Sequence, residues 1–275
     1  MLELEHGFRV VDVNARLTPN EQVGSRWRSI TPDRLEREMH QAGIVRALVS
    51  PEPRGERSYL SANNGVARLS VDRPFVAVAR INGSREPGTS PKSRFRNVVS
   101  GRKEYHTTPE DVEQYAYDDR FHGFAIDLTI DGLPDEDVLG VLEDVSLPVI
   151  VRAGREAPPE TLTESLLDRS FPVVLASFGG YPLDRQLMDR TIDLLEGYDD
   201  CYVDTSFVRY REQLERALLE HPDRVFFASG APACHPNVAV MEVLTLDVPE
   251  DKLRRAFSKN ACRVIDTLAP SVDVG

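Results

Sequence analysis

Short apolar runs alternate with longer amphipathic segments along the whole chain. The runs are short, rich in Val, Ile and Phe, and bounded by turn residues, as is typical of buried strands. The segments between them have helical spacing, and the first is preceded by Thr31 as a predicted N-cap and Pro32 at its first position. The predicted strands are 8–13, 44–49, 75–79, 123–128, 148–151, 173–176, 201–204 and 224–227. The predicted helices are 33–41, 60–71, 109–117, 135–145, 159–168, 183–195, 211–219, 238–246 and 250–268.

Strict alternation of strand and helix predicts a parallel sheet covered by helices. Eight such units in 275 residues predict a (β/α)8 TIM barrel, with 1–275 as a single domain. A doubly wound sheet is the alternative, although no G-x-G-x-x-G follows the first strand. A polar stretch near residues 82–108 predicts a long inserted loop, either solvated or closing over the barrel as a lid. Its basic residues include Lys92, Arg94, Arg96, Arg102 and Lys103.

Composition narrows the classes of partner. The chain has 45 acidic and 33 basic residues and a net charge of −12, which disfavours nucleic acid and anionic membranes as partners. No apolar run is long enough to span a bilayer, and the acidic first residues do not resemble a signal peptide, so we expect a cytoplasmic protein. Only four of the basic residues are lysines, which suits a halophile or a GC-rich genome. Three scattered cysteines imply no disulfide framework.

In a (β/α)8 barrel, ligands bind at the C-terminal ends of the strands. The predicted strand ends carry Arg16, Arg80 and Arg152, and guanidinium groups that converge there suit a carboxylate or a phosphate. Asp204 is a candidate general acid or base. Of the six histidines, His235 alone falls in a loop that should face this end of the barrel. Beside it, Cys234 is a candidate nucleophile or a loop cysteine that packs.

Seven segments resemble, in the same order, the amidohydrolase-related metal-dependent hydrolases, a TIM-barrel family that includes decarboxylases of aromatic and unsaturated acids. The segments are VDVNARL (11–17), MHQAGIVRALV (39–49), LPVIVR (147–152), FPVVLASFGG (171–180), YVDTS (202–206), DRVFFASGAP (223–232) and NA (260–261). The resemblance covers nearly the whole chain. It implies the barrel fold, hydrolysis of C–N or C–O bonds or decarboxylation of small organic acids, and possible assembly as a homodimer.

The same resemblance implies a divalent metal, usually zinc, held by histidines on three strands and an aspartate after the last. The corresponding positions in this chain are Asn14, Arg16, Arg152, Ser177 and Gly230. Arginine cannot deprotonate and glycine has no side chain, so these positions predict that the metal site is lost and that no cofactor is bound. Asn14 and Ser177, with the three arginines, then become candidate ligand-binding residues.

Several interpretations remain open. In the first, the chain is a pseudoenzyme that binds a small organic anion or serves as partner to an active relative. In the second, it is a metal-free hydrolase or lyase with Arg16 and Arg152 as electrophiles and an aspartate as acid or base. In the third, relocated ligands from His235, Asp204 and Asp127 hold a metal. In the plainest, the arginines only pair with Asp127, Asp204 or Asp12 in an inactive site.

Overall fold

The chain forms a barrel of parallel strands surrounded by helices. The computed structural model describes residues 3–18, 30–87, 95, 97 and 101–270. Within these residues eight strands pair in parallel and in chain order. They are β1 (Val10–Leu17), β2 (Ile44–Pro51), β3 (Phe75–Arg80), β4 (Phe121–Asp127), β5 (Val149–Arg152), β6 (Val173–Leu175), β7 (Cys201–Asp204) and β8 (Val225–Phe226). The predicted (β/α)8 barrel is therefore confirmed.

Helices follow the strands and cover the outside of the barrel. The α-helices of the described residues are α1 (Pro32–Gln41), α2 (Leu60–Ser70), α3 (Pro109–Ala116), α4 (Glu136–Val145), α5 (Arg185–Leu194), α6 (Arg211–Glu220), α7 (Pro236–Leu244), α8 (Glu250–Arg254) and α9 (Asn260–Val264). Thr31 caps α1 as predicted, since its side chain accepts a hydrogen bond from the Arg34 N–H. None of the helices in this described part is long and apolar enough to cross a membrane.

Main-chain hydrogen bonds join the short last strand to the first. The Val13 N–H donates to the Phe227 carbonyl at 3.1 Å, and the Arg16 N–H donates to the Ala231 carbonyl at 2.9 Å. In return, the Gly230 N–H donates to the Asn14 carbonyl at 3.1 Å. These bonds continue beyond β8 into the following loop, so they bring that loop against the end of β1.

Two apolar layers follow from the alternation of side chains along each strand. Val11, Val13, Val174 and Phe226 belong to the cluster that fills the barrel interior. The C-terminal segment adds Ile265 and other apolar residues to this interior cluster. The larger cluster lies between the strands and the helices. The C-terminal ends of the strands form the open end, called here the barrel mouth.

Two predicted elements differ from the structure. The helix predicted over 159–168 is a 3₁₀ turn (Pro159–Leu162) followed by a π turn (Thr163–Leu167), and Pro158 and Pro159 lie at its start. The helix predicted over 250–268 is interrupted by a π-helical segment (Arg255–Lys259) between α8 and α9. In both places the apolar spacing is right for a helix, but periodicity does not specify which backbone hydrogen bonds form.

The loop predicted near 82–108 lies partly outside the described residues, and so do Lys92, Arg94 and Arg96. Its two ends are held together, because the Asn82 N–H donates to the Thr107 hydroxyl at 3.0 Å. Arg102 pairs with Asp135 at 3.1 Å and with Asp137 at 2.5 Å, at the start of α4. The C-terminal end of this loop is therefore attached to the barrel.

Candidate functional site

A cavity of about 410 Å³ opens at the barrel mouth. This volume is in the range of small-molecule sites. Its polar lining comes from loops and strand ends around the barrel, and its apolar walls include two aromatic rings. The polar residues are Arg16, Glu52, Asp127, Thr129, Arg152 and Arg209, and the apolar ones include Pro53, Ile130, Tyr181, Leu183, Phe207 and Pro232.

Arg152 is fixed on two sides at the end of β5. Its Nη1 lies 3.0 Å from Oδ2 of Asp127, which ends the neighbouring strand β4. Its guanidinium carbon lies 4.5 Å from the centre of the Tyr181 ring, a cation–π contact. This residue therefore presents a positive charge to the cavity from a fixed position. The pairing with Asp127 is the one that the plainest interpretation of the sequence anticipated.

The Asp127 carboxylate has one oxygen satisfied and one oxygen open. Oδ1 accepts hydrogen bonds from the N–H and the hydroxyl of Thr129, at 3.2 and 2.8 Å. Oδ2 is buried and receives no hydrogen bond from the described residues, because the geometry of its contact with Arg152 is that of an ion pair only. Oδ2 therefore has its ion pair with Arg152 and an unused capacity to accept a hydrogen bond from an N–H or O–H group.

Two further arginines reach the same cavity. Arg16, at the end of β1, pairs through Nη1 with Glu52 Oε2 at 3.1 Å. Arg209 pairs with Glu242 and donates from Nη2 to the Cys234 sulfur at 3.3 Å. Each of these arginines has more donors than these contacts use. An anion in the cavity is therefore compatible with both ion pairs.

Below the cavity, Asp204 is the centre of a buried hydrogen-bond network. It is fully buried at the end of β7 and does not line the cavity. Oδ1 accepts from the N–H of Ser177 at 2.9 Å and from both the N–H and the hydroxyl of Ser206. Oδ2 accepts from Nδ2 of Asn14 at 2.9 Å. Burial raises the pKa of Asp204, although these donors oppose that shift.

A second buried carboxylate, Asp12, lies on β1. Its oxygens accept hydrogen bonds from the Asn14 N–H at 3.0 Å, from the Ser229 N–H at 2.9 Å and from the Ser229 hydroxyl. Burial raises the pKa of Asp12 to about 6, and the charge of Asp204 adds to the shift. Both carboxylates are satisfied by neutral donors. These residues form the framework beneath the cavity.

Arg80 does not join the arginines of the cavity. Its side chain is 4% exposed, and it pairs with Asp131 at 3.0 Å. It also donates from Nε to the Pro51 carbonyl at 2.7 Å and from Nη2 to the Ser50 hydroxyl at 3.3 Å. The sequence places Arg80 correctly at a strand end, but the loop after β4 supplies a carboxylate that turns it into a buried structural residue.

His235 and Cys234 follow Ala233 of the cavity lining but do not line the cavity themselves. His235 is the N-cap of α7, where Nδ1 accepts from the Asn237 N–H at 3.2 Å, and its Nε2 lies 3.9 Å from a Glu38 carboxylate oxygen on α1. Cys234 is buried, and burial raises the pKa of its thiol despite the contact with Arg209. Neither side chain lines the cavity: His235 caps α7, and Cys234 follows the alternative in which it is a loop cysteine that packs.

Three residues of the lining, Arg209, Tyr181 and Phe207, were not predicted from the sequence. Arg209 and Phe207 lie in the loop after β7, and Tyr181 follows Gly180 in the loop after β6. The predicted site residues lie at strand ends, whereas these three lie further along the loops. Their position in loops at the mouth is a signal that was available, but which loop side chains turn inward depends on the folded loop.

Three solved structures share this fold at low sequence identity. A 5-carboxyvanillate decarboxylase from Sphingomonas paucimobilis has a TM-score of 0.63 at 16% identity, over 94% of this chain and 99% of that one. A dihydroxybenzoic acid decarboxylase from Polaromonas, with bound manganese and 2-nitroresorcinol, has a TM-score of 0.67 at 13% identity, over 98% and 100%. A probable 2-pyrone-4,6-dicarboxylic acid hydrolase from Acinetobacter baumannii, with citric acid bound, has a TM-score of 0.62 at 13% identity, over 94% and 99%.

These likenesses establish the fold. No protein-family model matches the chain, and no curated protein matches it in sequence. The names of the three solved proteins therefore describe what this barrel is similar to.

The five positions that the resemblance aligns with metal ligands do not fit a divalent cation. The Asn14 amide nitrogen donates to Asp204, and the Ser177 hydroxyl lies 3.2 Å from the Ser206 hydroxyl. Arg16 and Arg152 bring positive charge to the mouth, which repels a cation. At Gly230 there is no side chain, and the Phe207 ring fills the space where one would begin. Among the described residues, no group of three or more His, Cys, Asp or Glu could hold a metal, so His235, Asp204 and Asp127 do not assemble into one.

Proposed function

We propose that this chain is a divergent member of the amidohydrolase-related family, and that its barrel mouth binds a small hydroxy-carboxylate without a divalent metal. The ordered sequence segments and the shared fold support the family. The observation that carries the ligand class is the pair at the ends of β4 and β5. Arg152 presents a positive charge, and Asp127 beside it presents a buried acceptor that lacks a hydrogen-bond donor among the described residues.

The pair of Arg152 and Asp127 suits a ligand that has an anionic group and a hydroxyl group close together. The carboxylate of such a ligand accepts from Arg152, and Arg16 and Arg209 add positive charge to the lining of the same cavity. The hydroxyl group donates to Oδ2 of Asp127, which adds a hydrogen bond to the ion pair that this oxygen forms with Arg152. In this role Arg152 supplies the positive charge that a metal supplies in a metal-dependent relative.

The walls favour a ligand with an apolar body. Ile130 and Leu183 line the cavity and are 46% and 47% exposed, which is high for large apolar side chains. Tyr181 and Phe207 add two rings in an edge-to-face arrangement, with centroids 6.2 Å apart. A planar hydroxy acid, whose ring packs between these side chains, satisfies the polar and the apolar parts of the cavity together. The proposal covers binding and derives no reaction step.

Calorimetric titration with 2-hydroxybenzoate, benzoate and phenol tests the proposal. We expect 2-hydroxybenzoate to bind more tightly than benzoate, and phenol to bind most weakly. Arg152→Met should weaken binding of both carboxylates by about ten- to a hundredfold, the size of one lost hydrogen bond to a charged group. Asp127→Asn, which replaces one oxygen by a donor, should reduce the preference for 2-hydroxybenzoate over benzoate.

Arg224→Met is the matched control. Arg224 also pairs with one aspartate, Asp199 at 2.9 Å, and also lies over a tyrosine ring, that of Tyr202 at 5.5 Å, but it precedes β8 at the opposite end of the barrel. Its replacement should leave all three affinities unchanged. Metal analysis and chelator treatment accompany the titration. Equal affinity for the three probes, or binding that disappears with the chelator, would contradict the proposal.

A further inference from the structure

A second cavity, of about 270 Å³, lies at the opposite end of the barrel from the mouth. Arg46 is the third residue of β2 and His122 is the second residue of β4, so both lie where these strands begin. Thr267, in the turn after α9, closes another side. The cavity at the barrel mouth is lined by other residues, from the ends of the strands and the loops that follow them.

The lining of this second cavity holds three arginines, Arg46, Arg73 and Arg120, against one carboxylate, that of Asp119. Guanidinium N–H groups are donors that suit an oxyanion.

Two of these arginines are already held in place by acids outside the lining. Arg73 donates to Glu36 at 2.7 Å and to Asp33 at 2.6 Å. Arg120 donates from Nε to Asp118 at 2.8 Å. The acids fix the two guanidinium groups at the rim of the cavity, so these groups lose little freedom when an anion arrives.

Arg46 differs from these two. Its guanidinium donates to the Thr267 carbonyl, and within the described residues it forms no ion pair with a carboxylate. The hydroxyl oxygen of Thr267 is buried and has no hydrogen-bond partner among the described residues. A half-buried guanidinium without a counter-ion and a buried hydroxyl without a partner, side by side, are both satisfied by an oxyanion that accepts from each.

We propose that this cavity, lined by Arg46, Arg73, Arg120 and Thr267, binds a phosphate-sized oxyanion. The group is an inorganic phosphate or the phosphate of a small ester. His122 also lines the cavity, and burial lowers the pKa of its ring, which favours the neutral form. The guanidinium groups are therefore the main donors that an anion meets in this site.

Calorimetric titration with sodium phosphate, against sodium chloride at the same ionic strength, tests this site in the full chain. We expect one phosphate site in the wild type. Arg46→Gln should weaken phosphate binding by about tenfold or more, as for the loss of a charge-assisted hydrogen bond. Asp119→Asn, at an exposed position, should strengthen it by removing the one carboxylate of the lining. Because this second variant is expected to gain affinity, a general loss of folding cannot imitate its result.

A variant at the barrel mouth is the control that distinguishes the two anion sites. Arg152→Met should leave the affinity for phosphate unchanged if the anion binds at the strand beginnings. Loss of phosphate binding in Arg152→Met with retention in Arg46→Gln would place the anion at the mouth and overturn the proposal. Phosphate heats no larger than those of chloride would overturn it as well.

Discussion

The two halves of the barrel mouth bury carboxylates in different ways. On the side of β3 to β5, Asp131 and Asp127 each lie beside an arginine, Arg80 and Arg152. We call this the charge-paired half. On the other side, the buried carboxylates of Asp12 and Asp204 are met by N–H groups, hydroxyls and one amide. We call this the hydroxyl half, after Ser177, Ser206 and Ser229.

The two halves differ in whether their charged groups are available to bind a ligand or serve to support the fold. In the charge-paired half, one arginine and one aspartate reach the cavity, so the charges there are available to a ligand. In the hydroxyl half, the carboxylates have their donors within the protein and lie below the cavity surface. Burial raises the pKa values of Asp12 and Asp204, and the neutral donors oppose that shift. Burial also raises the pKa of Asp131 in the charge-paired half, where Arg80 opposes the shift.

The largest expected effect comes from breaking the buried ion pair of the charge-paired half. Arg80→Met should lower the free energy of unfolding by about 3–5 kcal/mol, because it leaves Asp131 buried without its counter-ion. Chemical denaturation measures the loss. The double variant Arg80→Met with Asp131→Asn should recover part of it, since the uncompensated charge is then gone. No recovery would mean that packing rather than charge accounts for the loss.

The hydroxyl half should make stability depend on pH. The pKa of Asp12 is raised from 3.8 to about 6, so the folded state holds a proton that the unfolded state has released between these values. The free energy of unfolding should therefore fall as pH rises from 3.8 to 6, by about 3 kcal/mol for a shift of this size. Asp204, whose pKa is also raised, acts in the same direction.

Asp12→Asn should remove much of that slope, and denaturation at several pH values measures it. Asparagine keeps the shape of the side chain and an oxygen for the Asn14 and Ser229 N–H groups, so the fold should survive. Asp199→Asn, at a fully exposed carboxylate, is the control and should leave the slope unchanged. An unaltered slope in Asp12→Asn would assign the pH dependence to other groups.

A smaller loss of stability is expected at the cavity itself. Arg152→Met should cost about 1–2 kcal/mol, between the values for buried and for exposed ion pairs, because Asp127 is buried and Arg152 is 14% exposed. Arg224→Met should cost about 1 kcal/mol or less. Thermal or chemical denaturation compares the two. Equal losses of unfolding free energy in the two variants would show that the ion pair at the mouth is no more stabilising than the one at the opposite end of the barrel.

The smallest change concerns the shape of the mouth. Gly230 has a φ of 68°, and an added Cβ would lie 2.6 Å from Cε2 of Phe207. Gly230→Ala should cost about 1 kcal/mol through the left-handed conformation and displace the Phe207 ring, which lines the cavity. We expect weaker binding of 2-hydroxybenzoate together with this loss. Unchanged affinity would show that the ring does not contact the ligand.

The site residues that lie at strand ends could be predicted from the sequence. Arg16 and Arg152 lie at the ends of β1 and β5, and both line the cavity as the alternation of the sequence predicts. Arg80 also lies at a strand end but does not line the cavity, because Asp131 in the loop after β4 forms an ion pair with it. A strand end fixes the position of a side chain in the barrel, whereas its partner depends on loops whose paths periodicity does not encode.

The sequence by itself predicted the barrel, since eight alternations of apolar strand and amphipathic helix are local signals that favour it over the doubly wound alternative. It also placed arginines at the mouth. Only the tertiary structure decided what each charge does there, because that depends on contacts between residues far apart in the chain. Asn14 meets Asp204, Arg16 meets Glu52 and Arg152 meets Asp127 through such contacts. The Asp127 oxygen left without a donor, which carries the proposed function, arises in the same way.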